Sequence, residues 1–175
     1  MSFSTSATRQ LTAGDTMDLD DELKSYPMFN QNIGRGDPTY IDAADGFVKL
    51  ATTPANVKNN ARFVPVESKD NSGGSAGDLE IKGVLAPQII ALKTNNAMKA
   101  GAFAQAHTVK GEVINATGST IGLFARLIGG EGALFNRAGT SPFAETLSAG
   151  VVPEQNLAAG GIGFFQLIEN GIRLA

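Results

Sequence analysis

The chain holds one histidine, His107, and no cysteine. Imidazole and thiolate are the common zinc ligands and the common activators of a nucleophile, so zinc sites built on several of them are excluded. A Ser-His-Asp relay would have to run through His107, whose neighbours Ala106 and Thr108 supply no such context. His107 therefore reads as a loop or surface histidine. No Ser-x-x-Lys pair, Gly-x-Gly-x-x-Gly fingerprint or Gly-Lys-Ser/Thr phosphate loop occurs. Residues 15–22 concentrate acid: Asp15, Asp18, Asp20, Asp21 and Glu22. Carboxylate oxygens suit calcium, but this spacing lacks the mid-loop glycine and closing glutamate of an EF-hand. The stretch reads as a solvated acidic face, with Asp18, Asp20 and Asp21 as candidate contacts to a basic partner surface. Arg35-Gly36-Asp37 spells the tripeptide that integrins read, yet Gly36-Asp37-Pro38 is already sufficient as a turn signal. The expectation is a protein that is not an enzyme, with no cofactor and no metal.

The elements that would carry these residues follow from composition and period. Charged residues are 18% of the 175, below the roughly 25% of an average globular chain, and 21 residues are glycine. Such a chain suits short strands and tight turns better than solvent-facing helices. Leu79 to Val84 alternates apolar and polar, the period of a half-buried strand. Further strand signals fall at 47–51, 62–66, 88–93, 98–105, 109–114, 121–128, 133–135 and 163–168, with Gly, Asn or Pro between them. That spacing predicts a small β-barrel or β-sandwich with Gly/Ala-rich strands. Helix over 97–106 or 124–128 is the rival assignment, and 20–26 reads as a short helix. Residues 68–78 have a flexible loop's composition.

The first 44 residues read differently. Residues 1–14 look like a tail, and 26–40 set Tyr26, Met28, Phe29, Ile33 and Tyr40 among Pro27, Pro38, Gly34 and Gly36. Apolar groups on an irregular segment need a surface, either this domain or a neighbouring subunit. The division expected is an extended arm over 1–44 and a β-rich domain over 45–175. The arm's Tyr26, Met28, Phe29, Ile33 and Tyr40, with Asp18, Asp20 and Asp21, are the candidate interface. An arm of this kind predicts that removing residues 2–45 leaves the β-domain folded.

Net charge of −3 offers no basic face, so nucleic acid is not an expected partner. The start lacks an apolar signal core, and no apolar run nears the roughly 18 residues of a membrane span, so no membrane partner is expected. Asn115-Ala116-Thr117 matches a glycosylation sequon by chance in such a chain. From Asp45 onward the runs DGFVKLAT, LEIKGVLAPQIIALKTNNAMKAGAFAQ, VKGEVINATGSTIGLFARLI and GVVPEQNLAAGGIGFFQLIENG resemble the small decoration (cement) proteins on the heads of tailed bacteriophages and related viruses. The resemblance is one of turn-and-strand style and carries over no catalytic residue. It implies a virion structural protein made in a host cytoplasm and seated on the capsid surface. The implied partners are the major capsid protein and further copies of the chain, most often as a homotrimer. A tail, fibre or receptor-binding module is the alternative, and a ligand-binding barrel or enzyme a third reading.

Overall fold

The computed structural model describes residues 11–16, 22–116, 122–130 and 157–169. Twelve strands follow in chain order among them: β1 (Lys24–Pro27), β2 (Asn32–Ile33), β3 (Thr39–Ile41), β4 (Val48–Leu50), β5 (Ala61–Pro65), β6 (Lys69–Asp70), β7 (Glu80–Leu85), β8 (Ile89–Thr94), β9 (Phe103–Ala106), β10 (Glu112–Asn115), β11 (Leu123–Gly130) and β12 (Ile162–Leu167). One 3-10 turn, Pro54–Val57, lies between β4 and β5, and no α-helix occurs among the described residues. The class is mainly β, as the strand signals indicate. The segments offered as alternative helices, 97–106 and 124–128, instead contain β9 and lie within β11. The expected helix over 20–26 is replaced by β1, whose pairing with β7 outweighs local helix preference. The strand expected at 133–135 lies outside the described residues.

Five strands close a barrel in the order β10-β8-β12-β11-β9, with β9 returning to β10. Every pair is antiparallel except β10 with β8. Alternation decides which side chains fill it. Ile90 and Leu92 of β8, with Phe165 and Leu167 of β12, point in and are at most 1% exposed. Ala91 and Phe164, one residue out of phase, form a separate outer cluster under Leu11. Both faces of these two strands are thus covered, which explains why 88–93 and 163–168 read as nearly continuous apolar runs. Residues 11–16 reach that outer face by adding to the edge of β8 that β10 leaves open. The Gly14 N–H donates to the Ala91 carbonyl at 2.8 Å, and the Ala91 N–H to the Asp15 carbonyl at 2.8 Å.

The second sheet, β1-β7-β5-β3-β4, is wholly antiparallel and curls on itself. The chain leaves β1 at one edge and meets β4 at the other, where Met28 bridges Val48 and the Phe29 N–H donates to the Val48 carbonyl at 3.0 Å. Met28, Ile33, Val48, Phe63 and Ile81 fill the resulting half-barrel, each fully buried. Adjacent residues of β5 serve two cores: Phe63 points into the half-barrel, Val64 into the large core shared with the closed barrel. Tyr40, Ala51, Val57 and Val84 join Val64 there, so one hydrophobic core spans both lobes.

This architecture corrects the expected division at 44/45. Residues 24–41 supply β1, β2 and β3, and position 44/45 falls in the turn joining β3 to β4. They are sheet because each short strand finds a partner, β1 on β7, β2 on β6 and β3 between β4 and β5, which buries Met28, Ile33 and Tyr40 in this domain's own cores; the prolines and glycines occupy the ends and turns between short strands. Removing 2–45 would take β1, β2 and β3 out of the half-barrel and strip Met28 and Ile33 from beside Val48, Phe63 and Ile81. The tail expected over 1–10 lies outside the described residues.

Candidate functional site

The residues singled out as an interface part into three groups. Met28 and Ile33 are fully buried, and Tyr40 is 8% exposed, so these three are core rather than docking residues. Tyr26 is half-buried on β1, edge-on to Phe63 with ring centroids 5.6 Å apart. Phe29 is half-buried as well. It lies 6.4 Å from the Phe47 ring, with the Lys49 ammonium 4.8 Å above its own ring. Lys49 is held there by Asp42 at 2.7 Å and Asp45 at 2.6 Å. These contacts push the Lys49 ammonium above its ordinary value and hold the Asp42 carboxyl below its own, the Lys49 hydrogen bond being the main cause for Asp42. Asp18, Asp20 and Asp21 lie outside the described residues.

The Arg-Gly-Asp turn is inward-facing. Gly36 and Asp37 are buried, and the Gly34 N–H donates to Asp37 Oδ2 at 2.6 Å. Gly36 takes φ +76°, and a Cβ there would stand 2.6 Å from Ala13, so only glycine lets this turn rest on the 11–16 segment. Arg35 then reaches Asp15 at 2.5 Å. The tripeptide is consumed in fastening one segment to another, and its carboxylate is not offered to an outside receptor. His107 is half-buried and its Nδ1 accepts the Val109 N–H at 3.2 Å, a turn-closing role within the β9–β10 connection. The loop over 68–78, read as flexible from composition, carries its own hydrogen bonds. Asp70 accepts from the Ser72 N–H and hydroxyl, Asn71 Nδ2 donates to the Ser75 carbonyl, and the Ser75 N–H donates to Asp78.

A second set of polar side chains, not legible in the sequence, joins the two lobes. Arg62 of β5 is 5% exposed and donates from Nε at 3.0 Å and Nη2 at 2.8 Å to the Leu123 carbonyl of β11, and from Nη1 at 3.3 Å to the Asn60 carbonyl. Burial pulls this guanidinium below its ordinary value. Asp37 is 5% exposed, and Lys110 from the β9–β10 turn reaches to 3.6 Å of its Oδ2. Burial raises the Asp37 carboxyl above its ordinary value, against the opposing pull of the Gly34 N–H and Lys110. The only sequence signal for Arg62 was its polarity inside an apolar strand run, 61–65.

An open depression of about 310 Å³ lies at the same joint, lined by Ala61, Arg62, Leu85, Ala86, Ile168 and Glu169. Its cation is engaged with backbone carbonyls, so the depression is not a set of convergent groups aimed at a ligand. Among the described residues, no group of three or more His, Asp or Glu side chains is placed to hold a metal ion. Among the described residues, large apolar side chains with more than a third of their surface open are Leu23, Leu79, Val109 and Ile128, on four separate segments. No protein-family model matches the chain, and no curated protein matches it.

Proposed function

We propose that the protein is a non-enzymatic structural module that acts by its outer surface, and that it serves as a decoration protein on the capsid of a tailed virus. One observation carries the first step. The closed barrel is filled by its own side chains, with Ile90, Leu92, Val113, Phe124, Leu127 and Phe165 fully buried. Among the described residues the barrel interior is occupied by side chains, which favours its outside as the place for partners. The long polar side chains are spent in the same sense. Arg35, Arg62 and Lys110 tie segments together, as befits a rigid part that must keep its shape under load. The second step, to a capsid, rests on the resemblance of the strands and turns from Asp45 onward to decoration proteins.

In this reading the partners are the major capsid protein and further copies of the chain, as a trimer on the lattice, where many weak contacts add through multivalency. Phe29 beside Phe47, with Lys49, and the half-buried Tyr26 are the described residues of the candidate interface that keep exposed surface. The test is electron microscopy of virions with and without the chain, together with its molar mass by light scattering. Density for the chain on the outer head surface is the expected result. Density on the tail would move the protein to a tail or fibre role. Absence from purified particles would overturn the virion assignment altogether.

A further inference from the structure

We propose that Lys110 and Asn32 join in an intramolecular isopeptide bond, with Asp37 as the proton-transfer group. The three side chains converge from three segments. Lys110 Nζ lies 3.1 Å from Asn32 Oδ1 and 3.6 Å from Asp37 Oδ2. Asn32 itself is paired with Asp70 across the β2–β6 ladder. Asp37 is held by the Gly34 N–H and almost wholly buried. Gly111, at φ +82°, brings the β9–β10 turn so close that a Cβ there would stand 3.2 Å from Asp37 Oδ1. The Lys110 amine therefore stands beside both the Asn32 carboxamide and the Asp37 carboxylate, with Asn32 and Lys110 at the exposed rim and Asp37 buried beneath, a juxtaposition that makes an otherwise bimolecular step intramolecular.

The chemistry needs no outside reagent. The Lys110 ammonium gives a proton to Asp37 and becomes a neutral amine. Burial, which favours the neutral carboxylic acid, assists that transfer. The amine nitrogen attacks Asn32 Cγ, and Asp37 returns its proton to the departing Nδ2 as the Cγ–Nδ2 bond breaks. The proton shed by the attacking nitrogen also leaves, so the products are a secondary amide and ammonium. One C–N bond forms, one breaks, and nothing is oxidised or reduced. The consequence is mechanical. Asn32 belongs to the curled-sheet lobe and Lys110 to the barrel, 78 positions apart, so the bond would staple the two lobes covalently in a chain without cysteine.

Mass spectrometry of the denatured full-length chain tests this directly. The expected mass is that of the sequence less one ammonia, and proteolysis should yield a branched peptide joining the segments around Asn32 and Lys110. Lys110→Arg and Asn32→Ala should each restore the full mass. Asp37→Asn keeps an acceptor for the Gly34 N–H and should slow bond formation by about 10²–10⁴-fold, the usual worth of a positioned acid–base group. A wild-type mass equal to the full sequence after prolonged incubation overturns the proposal. So does an ammonia loss that persists in Lys110→Arg, which would come from asparagine cyclisation. Unchanged kinetics in a folded Asp37→Asn chain would remove Asp37 from the reaction.

Discussion

Replacing Met28 with alanine separates a core residue from a docking residue. Met28 is fully buried, bridges Val48, and packs with Ile33, Phe63 and Ile81 where the curled sheet meets its own far edge. The substitution removes three heavy atoms from a site whose walls are strands pinned by hydrogen bonds, such as Met28 N–H to the Leu79 carbonyl at 2.9 Å. Those walls relax little, so both the transfer loss and the cavity contribute, for a total of about 2–5 kcal/mol. At about 3 kcal/mol the urea midpoint falls by roughly 1–3 M. The same loss lowers Tm by roughly 6–12 °C in a domain of this size. Urea titration followed by circular dichroism measures it, with Phe29→Ala as the half-buried comparison. A loss for Met28→Ala below about 0.5 kcal/mol, the range of surface substitutions, would refute the placement of residue 28 in a core and revive the free arm.

Arg62→Met removes the donors to the Leu123 carbonyl from a buried joint. A loss of about 1–3 kcal/mol is expected in equilibrium unfolding, with Arg62→Lys failing to restore it because one ammonium does not reproduce the forked contact. Gly122 and Gly46 both take φ near +75°, but a Cβ at 122 would run into the Pro54 carbonyl while 46 faces open space. Gly122→Ala should therefore cost about 1–3 kcal/mol more than Gly46→Ala in the same assay. Glu112 closes the parallel β10–β8 seam through Lys93 at 2.7 Å, and the Lys93 hydrogen bond, then Asn95, hold its carboxyl below its ordinary value. A depressed carboxyl means the unfolded chain binds the proton more readily, so this stability is present above the ordinary glutamate value and is lost as pH falls through the lowered one. Urea midpoints measured across that acid range should show a shallower slope for Glu112→Gln than for the wild type.

Strands of both lobes were readable from the chain alone because their cues are local. Alternation over 79–84, apolar runs at 88–93 and 163–168, and glycine or asparagine between runs reflect pleat geometry and turn conformation, which neighbours in sequence determine. The small stock of imidazole and thiol groups was equally legible, since one histidine and no cysteine restrict zinc and thiol chemistry whatever the fold. Tertiary structure decided the rest. Whether Met28, Ile33 and Tyr40 faced this domain or another could not be read from spacing, because a strand of two or three residues has too short a period to declare its partner. Only the pairing of β3 between β4 and β5, the pairing of β2 with β6 and the Met28–Val48 bridge assign them to these cores. Distance in sequence hid the polar joint for the same reason: Arg62 meets Leu123 across 61 positions, and Lys110 meets Asn32 across 78. Such contacts are set by how two sheets pack, and that packing follows from burying Val64, Val84 and Phe124 in one shared core.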